Sequence, residues 1–181
     1  MNIYQIFFLL TAGLVGVNAI AALDIGEDAP KFTASASIAG QLLNYSLDEE
    51  LRKGPVVVYF FPSSFSIGCS IEAHNFAEAI DQFKVSGATV LGISRDDIDT
   101  QKKFSLLACM GKFAVAADPD LAIAKSYDAV MTTRPDYANR ISYVIAPNGK
   151  IIYQYTSLNP TKHVENTLNA VKEWQKQAEA K

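Results

Sequence analysis

Two cysteines, Cys69 and Cys109, are the only thiols in the 181 residues, and any redox or nucleophilic chemistry of the chain turns on them. The attacking species in such chemistry is the thiolate. A free cysteine has a pKa of about 8.5, so neutral pH leaves roughly a few per cent ionised, and the surroundings must favour the anion. A helix N-terminus does so through its unpaired N–H groups and its dipole. Cys69 stands at such a place. The loop Pro62-Ser63-Ser64-Phe65-Ser66-Ile67 ends there, and from Gly68 onward Ile71, Phe76, Ala79, Ile80 and Phe83 recur at helical spacing. Gly68 and Ser70 are small and leave the sulfur approachable, whereas a structural cysteine more often sits inside an apolar stripe. Position alone leaves a reactive thiol and a packed, inert one both open. Zinc is not expected: a structural site needs four close ligands, and His74 and His163 have no ligand spacing with the cysteines.

The elements that position Cys69 follow from hydrophobic patterning. Residues 55–61 form a continuous apolar run rich in Val and aromatics, the pattern of a strand buried on both faces. Residues 89–94 read as the next strand. Asp97 caps a helix that carries Phe104, Leu107 and Ala108, with Cys109 in its last turn and Gly111 as its stop. Residues 113–117 form a short strand, and Asp118-Pro119-Asp120 leads into a helix through Tyr127. Residues 142–146 and 151–155 make a hairpin across Pro147-Asn148-Gly149, since Asn-Gly favours the tight turn. Asn159-Pro160 opens the last helix as cap and first-turn proline, and Val164, Leu168, Val171 and Trp174 line its apolar face. Upstream, Asp28 to Phe32 is extended ahead of Pro30, residues 41–45 form a short edge strand, and Ser46-Leu47-Asp48-Glu49 starts a helix. Strand, helix, strand, helix, strand, helix, hairpin, helix gives an α/β fold with a mixed sheet flanked by helices.

Composition fits one domain. Hydrophobic residues at 49% and charged residues at 19% exclude a disordered chain. A formal net charge of -3 argues against a nucleic-acid partner, because no basic surface stands ready to displace phosphate counterions. The first charged side chain is Asp24. Before it lie an apolar run over residues 6–17 and the small-x-small site Ala19-Ile20-Ala21, the layout of a secretory signal. We expect a signal peptide over residues 1–21, a mature domain over 22–181, and export to a periplasm or the exterior. An uncleaved anchor over residues 3–22 and an organelle reached through the secretory route are the alternatives.

The segment from Pro62 to Cys69 resembles the peroxiredoxin signature, in which proline and threonine precede a reactive cysteine at set offsets. The resemblance extends to Ala29-Pro30-Phe32, Gly92-Ile93-Ser94, Ala117-Asp118-Pro119-Asp120 and Arg140-Ile141-Ser142-Tyr143-Val144-Ile145. The chain is most similar to the bacterioferritin-comigratory, or Q-type, branch of the alkyl hydroperoxide reductase/thiol-specific antioxidant family. That resemblance implies a thioredoxin-like fold and a thiol-dependent peroxidase with no metal or organic cofactor. It makes Cys69 the peroxidatic cysteine and Pro62 its shield from water. Ser66 stands where threonine is usual, and Arg140 matches the arginine that favours the thiolate and the departing oxygen. Glu72 is expected to orient Arg140 or cap the first turn, and the backbone N–H groups of Gly68 and Cys69 to complete the oxygen cradle. Many Q-type members carry a second cysteine five residues after the first; here His74 occupies that position. Cys109 is then the candidate resolving cysteine, with a one-cysteine mechanism as the alternative. The implied partners are a peroxide and a thioredoxin-like dithiol reductant, with the protein a monomer or weak dimer. A disulfide oxidoreductase on the same fold normally has a cysteine three residues after the first, where this chain has Glu72. A non-enzymatic binding module with a structural Cys69–Cys109 disulfide is the other rival.

Overall fold

The computed structural model describes residues 22–180. The expected signal segment, residues 1–21, lies outside them. Seven strands form one mixed sheet in the order β2-β1-β5-β4-β3-β6-β7. In chain order the elements are β1 (Thr33–Ile38), β2 (Gln41–Ser46), α1 (Leu47–Leu51), β3 (Val56–Phe60), α2 (Ile67–Val85) and β4 (Thr89–Ser94). Then come α3 (Ile98–Leu107), β5 (Ala114–Ala117), α4 (Ala122–Ser126), β6 (Ile141–Ile145), β7 (Ile151–Thr156) and α5 (Thr161–Glu179).

Strand β3 lies inside the sheet, parallel to β4 and antiparallel to β6, and all its residues are buried. Its side chains alternate between two cores, as the strand period requires. Val56, Val58 and Phe60 point to a core shared with Leu47 and Leu51 of α1 and Ala124 of α4. Val57, Tyr59 and Phe61 point to the other core, with Phe76 and Phe83 of α2, Phe104 of α3, and Val164, Leu168 and Val171 of α5. Each buried Phe or Val contributes about 1.5–3 kcal/mol. The sheet therefore serves as a fixed floor for the start of α2.

Most elements form where the patterning puts them, and five details differ. Strand β1 was not anticipated, because Thr-Ala-Ser-Ala-Ser-Ile offers small residues instead of a branched apolar run. It forms through pairing, antiparallel to β2 and to β5. The helix that carries Phe104 ends at Leu107, so Cys109 lies beyond it and not in its last turn. Met110 and Gly111 both take positive φ, 54° and 68°, and turn the chain toward β5. Leu107, assigned to the apolar face, is exposed. Ser46 flanks α1 without a side-chain cap bond. The cap of α5 works one residue further out: Asn159 Oδ1 accepts from Thr161 N at 3.0 Å, with Pro160 between them. The Asn-Gly turn forms as expected, with Gly149 at φ 81° and Lys150 N donating to Asn148 Oδ1 at 3.1 Å.

Candidate active site at the start of helix α2

Cys69 is the third residue of α2. Its backbone N–H belongs to the first turn, where no intrahelical acceptor exists. The loop before it is held by the end of β4 and the start of α3. Ser64 N donates to Asp96 Oδ2 at 2.6 Å, and Ser94 Oγ donates to the same oxygen at 2.7 Å. Gln101 Nε2 donates to Ser94 Oγ at 2.7 Å and to Ala116 O at 3.2 Å, while Ser64 Oγ donates to Gln101 Oε1 at 3.3 Å. Phe65 takes φ 62°, a costly conformation for an aromatic residue, and its ring meets Phe104 edge-on at 5.3 Å.

The sheet delivers the second half of the site. Ile141 pairs with Phe60 and Ser142 with Tyr59, so Arg140 continues the β6 edge beside Phe61. Alternation puts Ser142 and Val144 on the α2 side of the sheet, and Arg140 reaches the same side. Its guanidinium bonds in three directions. Nη2 donates to Cys69 Sγ at 3.3 Å, Nη1 donates to Glu72 Oε2, and Nε donates to Leu158 O at 3.1 Å. Glu72 follows Cys69 by one helical turn, which puts both on the face that Arg140 approaches. Gly68 leaves the passage open: a Cβ there would sit 3.2 Å from Arg140 Nη2. Cys69, Glu72 and Arg140 are all buried, Arg140 at 5% exposure. A surface ion pair, the default for an arginine read from sequence, is thereby excluded.

A third layer lies behind Glu72, and the sequence reading did not find it. His163 of α5 is fully buried, with Nε2 donating to Ser157 O at 2.9 Å and Nδ1 2.8 Å from Ser142 Oγ. Since a carbonyl only accepts, the proton of neutral His163 is on Nε2, and Nδ1 accepts from Ser142. Nδ1 also lies 3.6 Å from Glu72 Oε1, a buried oxygen that has no hydrogen-bond partner among the described residues. The available signal was a histidine among the apolar residues of an amphipathic helix. It becomes meaningful only when α5 is docked against α2.

The electrostatics follow from burial around one cation. Burial pushes the Glu72 carboxyl up to about 8, although Arg140 pulls in the opposite direction. Burial lowers His163 to about 4, helped by the Arg140 charge and resisted by the bond to Ser157. Burial also works against the charge of Arg140, but Glu72 and Cys69 outweigh it and keep the guanidinium charged. Tyr59 is pushed well up by burial, with Cys109, Glu72 and Cys69 adding to the effect.

Of the residues singled out from sequence, Cys69, Gly68, Glu72 and Arg140 meet at one point. Pro62 is half-buried where the chain leaves β3. Ser66 occupies the N-cap position with extended backbone (φ -66°, ψ 149°), and its hydroxyl makes no cap bond. Its carbonyl accepts from Ser70 N at 2.9 Å, and the residue is exposed. Cys109 lies in the same apolar core as Cys69, and both thiols are free and buried. Burial pushes the Cys109 thiol up, and no cation opposes that.

The AhpC/TSA family model matches residues 25–154. The chain belongs to the AhpC/TSA family. It is 31% identical over 144 residues to a putative chloroplastic peroxiredoxin Q from Oryza sativa subsp. indica, a match covering 79% of this chain and 64% of that protein. It is 28% identical over 156 residues to peroxiredoxin Bcp of Escherichia coli strain K12, covering 83% of this chain and 97% of that protein. Among solved structures, peroxidoxin BcpB of Mycobacterium tuberculosis superposes with a TM-score of 0.75 at 22% identity, covering 82% of this chain and 96% of that one. These relatives place the AhpC/TSA chain in the peroxiredoxin Q/Bcp branch, and the superposition establishes the thioredoxin-like fold.

Proposed function

We propose that this protein is a thiol-dependent peroxidase in which Cys69 attacks the peroxide. The observation that carries this reading is the Arg140 N–H on the Cys69 sulfur, 3.3 Å away at a helix start. A charge-assisted donor and a helix N-terminus both stabilise negative charge on sulfur. The sulfur attacks one oxygen of the O–O bond. The S–O bond forms as the O–O bond breaks, and the other oxygen leaves and takes a proton as water or an alcohol. Cys69 becomes a sulfenic acid. Arg140 also faces the charge that develops on the leaving oxygen, the kind of preorganised donor that lowers such barriers most. Pro62 at the loop start limits water around the sulfur, and the Ser66 hydroxyl at the mouth is available to a peroxide oxygen. The N–H groups of Gly68 and Cys69 supply further donors.

The sulfenic acid is resolved by Cys109, whose thiolate displaces hydroxide to form a Cys69–Cys109 disulfide, and a thioredoxin-like dithiol reduces it. Burial holds Cys109 back as a thiol, so this step requires the segment around Met110 and Gly111 to open. The protein acts as a monomer or weak dimer. Export is part of the proposal and rests on the apolar run over residues 6–17 and on Ala19-Ile20-Ala21.

Purified protein is expected to consume hydrogen peroxide with dithiothreitol as reductant, and Cys69→Ser to stop it. Equal rates in the two would overturn the peroxidase reading. Mass spectrometry after peroxide treatment is expected to find the Cys69–Cys109 disulfide. Oxidised Cys69 beside free Cys109 would leave a one-cysteine mechanism instead.

A further inference from the structure

The buried polar chain behind Cys69 contains one cation and two acids. Arg140 is the cation; Cys69 and Glu72 both bond to its guanidinium, at 1% exposure and 0% exposure respectively. Among the described residues Arg140 has no other acidic partner: its remaining bond goes to the neutral carbonyl of Leu158. The charged and titratable groups that face this pair can be named by element. On α2 these are Cys69 and Glu72 themselves. Tyr59 comes from β3, Arg140 from the residue before β6, Tyr155 from β7 and His163 from α5, with the Tyr155 ring edge-on to His163 at 4.8 Å. Tyr59 is held as a neutral phenol by its burial. His163 is held neutral by its burial and by the neighbouring Arg140 charge. Two anions against one cation would leave a net buried negative charge, which a low-dielectric interior strongly disfavours. The site therefore favours one anion at a time.

Resting on the peroxidase reading, we propose that Glu72 is the proton store of the site: a carboxylate while Cys69 is a thiol, and a carboxylic acid while Cys69 is a thiolate. The exchange is balanced as Cys69–SH plus Glu72–COO⁻ giving Cys69–S⁻ plus Glu72–COOH, with Arg140 charged throughout. When the sulfur attacks a peroxide, the neutral sulfenic acid replaces the thiolate. The departing oxygen needs one proton, and Glu72 returns to carboxylate against Arg140 with the release of one. No proton is gained or lost by the site over the attack.

The geometry behind Glu72 suits both of its states. Oε2 takes the Arg140 bond, and Oε1 as a bare oxygen has no partner among the described residues. Protonated, Oε1 becomes a donor, and His163 Nδ1 lies 3.6 Å away; that nitrogen has one lone pair, so it accepts from Glu72 when the Ser142 hydroxyl turns away from it. That spacing is longer than a hydrogen bond and closes with a shift of several tenths of an ångström. The bond from Nε2 to Ser157 O fixes the tautomer that leaves Nδ1 as an acceptor. His163 is thus a positioning residue: a neutral acceptor that does not add a second cation.

The proposal is tested by the fraction of Cys69 ionised as a function of pH, read from the rate of iodoacetamide alkylation on the Cys69 peptide by mass spectrometry. Coupled sites titrate as a pair. The native protein is expected to show two steps: a rise to a plateau where the proton is shared between sulfur and carboxylate, then a second rise when both acids ionise. Glu72→Gln keeps the shape, removes the store and is expected to give one step. One step in both proteins would overturn the proposal, because a permanently charged Glu72 that only props Arg140 gives that result. Infrared difference spectra of the native protein provide a second readout that needs no substitution. A carboxylic-acid C=O band is expected to persist on the plateau, where thiolate is already present, and to vanish with the second step; no such band beside the thiolate would overturn the proposal too. Neither readout uses peroxide, so a failed peroxidase assay beside a two-step profile would count against the parent reading and not against the proton store.

Discussion

Cys69 and Cys109 share one apolar core, at 1% and 0% exposure, yet their surroundings prepare them for opposite roles. Cys109 sits just past α3 with only burial acting on its thiol, which holds the proton on the sulfur. Cys69 sits in the first turn of α2 with a guanidinium N–H on its sulfur. The difference teaches that burial does not decide a cysteine's chemistry. The nearest cation and the nearest unpaired N–H groups decide it.

Breaking the cation should break the comparison, and this is the largest effect expected. Arg140→Met removes the donor to Cys69 and the partner of Glu72, and should slow sulfenic acid formation by about 100-fold or more in stopped-flow single turnovers. Circular dichroism checks that the fold survives, since Glu72 escapes isolation by taking a proton. Cys109→Ser acts on the other side of the comparison. Single-turnover peroxide reduction should stay within about twofold of native, while turnover supported by a thioredoxin-like reductant falls by about 10-fold or more. A smaller effect is expected from Gly68→Ala. The added methyl would meet Arg140 Nη2 at 3.2 Å, so the guanidinium must back away by a few tenths of an ångström. We expect a rate loss of about threefold to tenfold with little change in stability.

These positions also show what the sequence made legible. The strand-loop-helix around Cys69 was readable because β3 is a continuous apolar run and α2 keeps helical spacing after Gly68. Arg140 was readable only through its resemblance to a family pattern. By composition it is one charged residue near a strand, and its burial comes from the pairing of β6 with β3. His163 and Asp96 were not readable. Their partners lie 91 and 32 residues away in sequence, His163 against Glu72 and Asp96 against Ser64, and such contacts carry no local periodic signal. Cys109 was placed in the correct region but one turn too far inside its helix. The stop is the left-handed Met110-Gly111 pair, and a methionine does not announce a positive φ.

The smallest effect concerns stability against pH. Glu72 is held above its ordinary value, so its contribution is present below about pH 4.5 and is lost as the pH rises through about 8. His163 is held below its ordinary value of 6.5, so its contribution is present above that pH and is lost as the pH falls toward about 4. The two slopes oppose each other in mildly acidic solution. The unfolding free energy from urea titrations should therefore vary little between pH 4.5 and 6.5, and Glu72→Gln, which leaves the His163 slope alone, should make it rise with pH by at most about 1.4 kcal/mol per pH unit across that window.

The contrast between the two thiols is tested most directly by trapping. Reduced protein is treated with less than one equivalent of hydrogen peroxide in the presence of a sulfenic-acid trapping reagent, and both cysteine peptides are quantified by mass spectrometry. The trapped adduct should be found on Cys69, with Cys109 appearing only as thiol or in the Cys69–Cys109 disulfide. An adduct on Cys109 equal to or greater than that on Cys69 would contradict the assignment of peroxide attack to the thiol beside Arg140.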